Sequence, residues 1–331
     1  MNNELRIGIV GCGGIAQAHF DGYKNLERVK IVAVYDVAQQ SAEKMATNSG
    51  ARVAASLEEM VRQDKLDAVS VCTPPSAHLD NCQPFLKAGI AVLCEKPIEI
   101  NVPRAIKLTK LAKNHGAIFM PAFCHRFHPA IIELKELIKR GILGKPLFFR
   151  NIFGGYLDLA GNHRVNPKVS GGGCLIDHCV HSIDLFRFLV GDPTSVQAFA
   201  GNIMQKLPIE DFGMIHLSRN GKAFGEITAS YSLKGCGNFM EWYGSKGMAI
   251  VSYWNTGFPD LQYRVENAQD WIPVACNRHP DRFTGELKHF LDCVRKKARL
   301  SVTAEDGLKV SRIVQEVYRS SAQKKCMTIH L

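Results

Sequence analysis

The chain has 331 residues, 46% of them hydrophobic and 22% charged, which is enough apolar material for a large core and two domains. No apolar run approaches the roughly 20 residues of a membrane-spanning helix, so no membrane partner is expected. The formal net charge of +10 raises the question of nucleic acid. However, the basic residues are spread, and the densest runs, Arg295-Lys296-Lys297 and Lys324-Lys325, fall at predicted helix ends, where cations complement the helix dipole. We read a solvated basic surface and no nucleic-acid partner; a general attraction for anionic substrates or the dinucleotide stays open.

Leu5–Val10 is a short apolar strand that runs into Gly11-Cys12-Gly13-Gly14-Ile15-Ala16, a G-x-G-x-x-A turn, and then into a helix over Ala16–Leu26. Strand, glycine turn and helix together predict a dinucleotide site, although a glycine motif alone can be an ordinary turn. Gly11 permits the tight turn, Gly13 lets the backbone approach a pyrophosphate, Gly14 belongs to the same cofactor-binding turn, and Ala16 lets the helix pack closely. Ile15 opens the helix whose free N–H groups meet the phosphates. Val29–Tyr35 is the second strand, and Asp36 follows it at the position where a carboxylate can accept from ribose hydroxyls. Asp36 would repel a 2′-phosphate, and Val37-Ala38-Gln39-Gln40 has no Arg or Lys to attract one, so NAD is preferred over NADP.

Helices are predicted over Ser41–Asn48 and Ser56–Gln63, the latter capped by Ser56. The strand Ala68–Cys72 ends at Thr73-Pro74-Pro75. The helix His78–Ala88 stops at Gly89, and the strand Ala91–Cys94 closes on Glu95-Lys96-Pro97. Pro103–Asn114 is a helix, and Ala117–Pro121 is the last strand of the alternation. Alternating strands and helices imply a doubly wound parallel sheet that binds ligands at its C-terminal edge. The boundary is placed after residue 122, giving a Rossmann domain over 1–122 and an α+β domain over 123–331. In the second domain, Pro129–Arg140 is a helix, Leu147–Phe153 a strand, and Gly171-Gly172-Gly173 a hinge opening one helix over Leu175–Val190. The stretch from Ser195 to Ala275 is a series of strands that favours a large, mostly antiparallel sheet, followed by helices over Asp281–Lys297 and Thr303–Ser321. The eleven cysteines lie singly, without a C-x-x-C pair, and are read as small buried hydrophobes. With the first strand beginning at Leu5 there is no room for a signal peptide, so a cytoplasmic location is expected.

Lys96 follows a strand at the cofactor edge, where its ammonium could hold a substrate hydroxyl; the alternative is a surface lysine in a loop. Asp177 and His181 are four apart on the predicted helix and could both face one pocket, with His181 taking a proton near neutral pH. The alternative is a packed helix with a satisfied histidine. Cys174, Asp177, His178, Cys179 and His181 are also five potential metal ligands, but no paired-Cys or H-E-x-x-H spacing accompanies them, and no metal is expected.

Taken in order, the glycine turn, Asp36, Thr73-Pro74-Pro75 with His78, Glu95-Lys96-Pro97, Arg126-Phe127-His128-Pro129, the three glycines leading to Asp177 and His181, and Thr303-Ala304-Glu305-Asp306-Gly307 resemble the Gfo/Idh/MocA oxidoreductases over nearly the whole chain. The resemblance implies a Rossmann domain, a second domain whose open sheet serves oligomerisation as a homodimer or homotetramer, and NAD(P)-dependent oxidation of a sugar or polyol hydroxyl. It implies that Lys96, Asp177 and His181 are catalytic, with His181 the proton acceptor. Thr73, Pro74, His78, Glu95 and Lys96 would line the cofactor. Arg126, Tyr156, His163 and Arg164 are expected at the substrate. His163, where relatives often carry Trp, and His178-Cys179, in place of the more usual Leu-Gly, depart from the family pattern. Two other readings stay open: an enzyme that keeps its NAD bound and cycles it internally, and a dinucleotide sensor without turnover.

Overall fold

A computed structural model describes residues 4–253, 257–277 and 279–331. Residues 254–256, inside the span predicted as successive strands, lie outside the described residues. The chain forms two compact units, one of residues 1–124 with 281–308 and the other of 125–280 with 309–331. The sequence places a single boundary; the contacts return a late segment to the first unit.

The first unit alternates β1 (Leu5–Val10), α1 (Gly14–Lys24), β2 (Val29–Tyr35), α2 (Gln39–Ser49), β3 (Arg52–Val53), α3 (Leu57–Gln63), β4 (Ala68–Val71), α4 (His78–Lys87), β5 (Ala91–Cys94), α5 (Val102–His115) and β6 (Phe119–Pro121). The six strands form a parallel sheet in the order β3-β2-β1-β4-β5-β6. β4 and β5 are buried at every residue, as strands covered on both faces must be. Local chemistry sets several ends. Ser56 Oγ accepts from the Glu59 N–H at 3.1 Å, and Asn101 Oδ1 accepts from the Arg104 N–H at 3.0 Å, so each side chain satisfies an orphan donor of its helix. Gly116 ends α5 in the left-handed region, where a side chain would be strained.

The second unit contains α6 (Pro129–Lys139), β7 (Pro146–Gly154), α7 (Pro167–Ser170), α8 (Cys174–Asp177), α9 (Cys179–Leu189), β8 (Ser195–Gly201), β9 (Phe212–Arg219), β10 (Ala223–Ser230), β11 (Asn238–Gly244), β12 (Gly247–Tyr253), β13 (Leu261–Val265) and β14 (Ile272–Val274). Its nine-stranded sheet runs β14-β13-β12-β11-β7-β10-β9-β8-β15, with β15 (Met327–Thr328) at one edge. Among the described residues, the β7–β10 pair is the one parallel pairing of this sheet; the other neighbours are antiparallel. Phe149, Trp242, Ala249 and Ile227 lie on the buried face. Phe224 and Phe199 lie on the other, 51% and 52% exposed. The single predicted helix over 175–190 is two helices broken at His178, whose ring packs edge-on against Phe153 and Tyr231.

α10 (Arg282–Val294) belongs to the first unit and packs on α1. A Cβ on Gly22 would come within 2.5 Å of Leu287, so a glycine on α1 permits that approach. Arg295, at the C-terminal end of α10, donates to the carbonyls of Glu27 and Arg28. α11 (Ala304–Gln323) follows.

Candidate active site

Because all strands of the first sheet are parallel, the segments after β1, β2, β4 and β5 share its C-terminal edge. Gly11 has φ +85°, and a Cβ there would stand 2.8 Å from the backbone of Cys72 and Thr73, so the turn after β1 lies directly against the segment after β4. Gly13 caps α1 with no side-chain hydrogen bond, and a Cβ on Gly13 or Gly14 would meet nothing within 4 Å. The N-terminus of α1 therefore faces open space at Gly13 and Gly14, the geometry a pyrophosphate needs, while Ile15 is half-buried and Ala16 fully buried. The Asp36 carboxylate accepts from the Cys12 N–H at 2.6 Å and the Ala38 N–H at 2.8 Å, tying the glycine turn to the end of β2. Each oxygen keeps acceptor capacity for a ribose hydroxyl. These residues fit a dinucleotide. Burial, then the charge of Asp36, pushes the Cys12 thiol up to about 12, so it stays protonated beside this site.

The remaining residues of this edge are tied to each other. Thr73 Oγ1 accepts from Asn81 at 3.0 Å, and Pro74 directs the chain into a short helical turn. His78 is fully buried, and its ring nitrogens lie 2.8 Å from the Thr73 carbonyl and 3.0 Å from the Pro97 carbonyl. It links two loops: burial lowers its pKa and favours the neutral ring, whose single N–H donates to one of the two carbonyls. Glu95 is also buried: Oε1 lies 3.0 Å from His19 Nε2, and Oε2 accepts from the Lys96 N–H at 3.0 Å. Burial alone would raise the Glu95 carboxyl, but the bond from His19, the Lys96 ammonium and the Lys96 N–H outweigh it and leave it below the ordinary value. The Lys96–Pro97 peptide is cis.

In the second unit the glycine hinge is explained by its neighbours. A Cβ on Gly172 would lie 2.0 Å from Tyr318 Oη, and one on Gly173 2.0 Å from the Glu210 carbonyl. Glu210 Oε1 accepts from the N–H groups of Gly173 and Leu175 and from Tyr318 Oη at 2.7 Å, anchoring the start of α8. Asp177 at the end of α8 accepts from Tyr231 Oη at 2.8 Å, with Arg164 Nε at 3.6 Å and His178 Nε2 at 3.9 Å from the same oxygen. His181, in the first turn of α9, is buried and stacks on His125 with ring centroids 4.3 Å apart. Arg126 is buried, with Nε and Nη2 on the two Asp184 oxygens at 2.7 and 2.5 Å; an ion pair occupies this expected substrate contact. His163 and Arg164 are exposed on a short helical turn, and burial and the Arg164 charge lower the His163 pKa. Tyr156 is 44% exposed, with the Lys234 ammonium over its ring. No three of Cys174, Asp177, His178, Cys179 and His181 converge as metal ligands among the described residues. Burial pushes the Cys174 and Cys179 thiols well up, away from the thiolate form.

His19, Glu210, Tyr231 and Tyr318 had no motif to mark them. His19 lies three residues after Ala16 on the helix that opens at the glycine turn, a placement that could have drawn attention to it.

Residues 5–123 match the Gfo/Idh/MocA oxidoreductase family, NAD-binding Rossmann fold, and residues 131–250 match the GFO/IDH/MocA C-terminal domain. The chain is 26% identical to an inositol 2-dehydrogenase of Rhizobium meliloti, covering 98% of this chain and 99% of the relative. It is 25% identical to the scyllo-inositol 2-dehydrogenase (NAD(+)) of Bacillus subtilis, over 93% and 91%. Its fold matches levoglucosan dehydrogenase, solved with NADH and levoglucosan, with a TM-score of 0.90 at 20% identity, over 99% of this chain and 100% of that one.

Proposed function

This chain belongs to the Gfo/Idh/MocA oxidoreductases, NAD(P)-dependent enzymes, and on that premise we propose that it is an NAD-dependent dehydrogenase of a secondary hydroxyl on a sugar or cyclic polyol. The observation that carries this reading is the open, uncapped glycine turn with Asp36 beside it, on the same sheet edge as a lysine whose backbone is held by a buried carboxylate. The relatives named for inositol support the substrate class.

When bound, the nicotinamide supplies the hydride acceptor. The N-terminus of α1 holds the pyrophosphate, and Asp36 accepts from the adenosine ribose and disfavours a 2′-phosphate. Thr73, Pro74 and Lys96 line the cofactor, while His78 and Glu95 hold the loops that do so. Lys96 donates to the substrate oxygen and stabilises the alkoxide as it forms. His181 takes the hydroxyl proton, and the carbinol, having lost a hydride and a proton, becomes a ketone. Asp177, held by Tyr231, orients the substrate, with Arg164, His163 and Tyr156 as further contacts. Arg126 acts from behind, by holding α9 through Asp184. The exposed sheet face carrying Phe199 and Phe224 is the surface for self-association into a homodimer or homotetramer.

The test follows reduced-nicotinamide absorbance with NAD or NADP over a panel of inositols and sugars. Turnover with NAD and one polyol, abolished in His181→Ala with cofactor affinity retained, is the expected result. Silence across the panel despite NAD binding in calorimetry would refute the reading in favour of a bound-cofactor enzyme or a sensor.

A further inference from the structure

His19, Ser70 and Tyr23 form with Glu95 a buried chain of polar groups in the first unit, of which the reaction as proposed uses only Glu95. His19 on α1 is fully buried; its Nδ1 lies 3.0 Å from Ser70 Oγ on β4, and its Nε2 lies 3.0 Å from Glu95 Oε1. Tyr23, one turn further along α1, places its Oη 2.8 Å from the same Ser70 Oγ. Donors and acceptors give this chain one direction when Glu95 is ionised and His19 neutral. An ionised carboxylate only accepts, so His19 Nε2 must donate to it. The Nδ1 lone pair then takes the Ser70 hydroxyl proton, and Ser70 Oγ accepts from Tyr23. Every member is satisfied, and the chain ends on a carboxylate whose other oxygen accepts from the Lys96 N–H.

We propose that His19 is a positioning residue for Lys96: through Glu95 it fixes the backbone from which the Lys96 side chain departs. This rests on the reading that Lys96 acts on the substrate hydroxyl. α1 carries the pyrophosphate site at its N-terminus and His19 further along, so the helix that receives the cofactor also sets the lysine. Without His19, the buried Glu95 carboxylate loses its donor on Oε1 and must reorient or take up a proton; reorientation releases the Lys96 N–H, and protonation weakens the acceptor that holds it. The lysine then samples positions in which its ammonium misses the reacting oxygen, and the loss falls on the chemical step rather than on cofactor binding.

The test compares wild type with His19→Ala and His19→Gln, the glutamine restoring an N–H donor. It has two readouts: kinetics on the polyol that wild type turns over, and the rate at which trace acetic anhydride labels Lys96 without substrate, read by mass spectrometry against the other lysines. The expected result is a fall in kcat of about ten-fold or more in His19→Ala, with NAD affinity retained, a changed labelling rate confined to Lys96, and recovery of both in His19→Gln. Unchanged kcat and Lys96 labelling in His19→Ala, or a glutamine variant no better than alanine, would overturn the proposal. If His19→Ala does not fold, Glu95→Gln takes its place, because its amide still accepts from His19 but no longer offers Lys96 a carboxylate; unchanged Lys96 labelling there overturns the proposal equally. Labelling confined to Lys96 that changes in a protein with no turnover would support the placement and refute the dehydrogenase reading. Turnover with unchanged labelling would do the reverse.

Discussion

Tyr231 Oη donates to Asp177 Oδ2 at 2.8 Å, so a side chain just beyond β10 holds the carboxylate at the end of α8. Tyr231 is 1% exposed, and burial and then the Asp177 charge keep its phenol protonated far above the ordinary range, so it remains a donor at any working pH. Tyr231→Phe removes that donor and little else. A hydrogen bond to a charged group contributes about 1.5–3 kcal/mol, so kcat/KM is expected to fall roughly 10- to 100-fold. Steady-state kinetics checks this, with urea unfolding to establish that the variant is folded. Unchanged kinetics would remove Asp177 from its orienting role.

The glycine hinge makes a prediction about stability. Gly172 has φ +155°, and its Cβ would overlap Tyr318 Oη, so Gly172→Ala should destabilise by about 1–3 kcal/mol. Combining it with Tyr318→Phe removes the nearest atom and should restore part of the loss beyond additivity, measured as a double-mutant cycle in urea. Strict additivity would show that backbone strain, rather than the clash, sets the cost.

Cofactor choice turns on Asp36. Asp36→Ser removes the charge that disfavours a 2′-phosphate and leaves one neutral oxygen where two carboxylate oxygens accept from the Cys12 and Ala38 N–H groups. NAD affinity should weaken and the NAD/NADP ratio of dissociation constants should narrow by on the order of ten-fold, about 1.4 kcal/mol. Calorimetry with both dinucleotides measures it; a ratio that does not move would place the discrimination elsewhere.

Acid should loosen one loop first. Burial raises the Asp211 carboxyl, but bonds from Ser232 Oγ and the N–H groups of Ile203, Gln205 and Met204 together bring it below the ordinary value. A carboxylate whose folded pKa lies below its unfolded one contributes its full stability above the unfolded value, about 3.9, and loses it as pH falls through the folded value. The amides of residues 203–205 should therefore lose hydrogen-exchange protection as pH drops below about 4. In Asp211→Asn they should be weakly protected at neutral pH and change little with acid. Protection that persists in acid in the wild type would refute this assignment.

Much of the first unit was legible because its signals are local. The glycine turn, the carboxylate after β2, the serine cap at Ser56 and the buried runs of β4 and β5 each announce themselves within a few residues. The single helix predicted over 175–190 illustrates the limit. Its apolar periodicity runs through His178, yet the helix breaks there, where the His178 ring packs on Phe153 and Tyr231 from two other segments. Arg126 shows the same limit at the candidate site: a conspicuous arginine in sequence is held in a buried ion pair by Asp184, 58 residues away.

By itself the sequence determined the Rossmann order, the large mostly antiparallel second sheet and the chemistry-bearing residue types at the strand ends, because periodicity, turns and caps act between near neighbours. Only the tertiary structure decided that α10 rejoins the first unit, that β7 lies parallel to β10 in mid-sheet, and which side chains hold the candidate catalytic ones. His19 reaches Glu95 across 76 residues, and Tyr318 reaches Glu210 across 108. Such bonds depend on where the packed core brings two distant segments together, and no local pattern in either segment encodes that meeting.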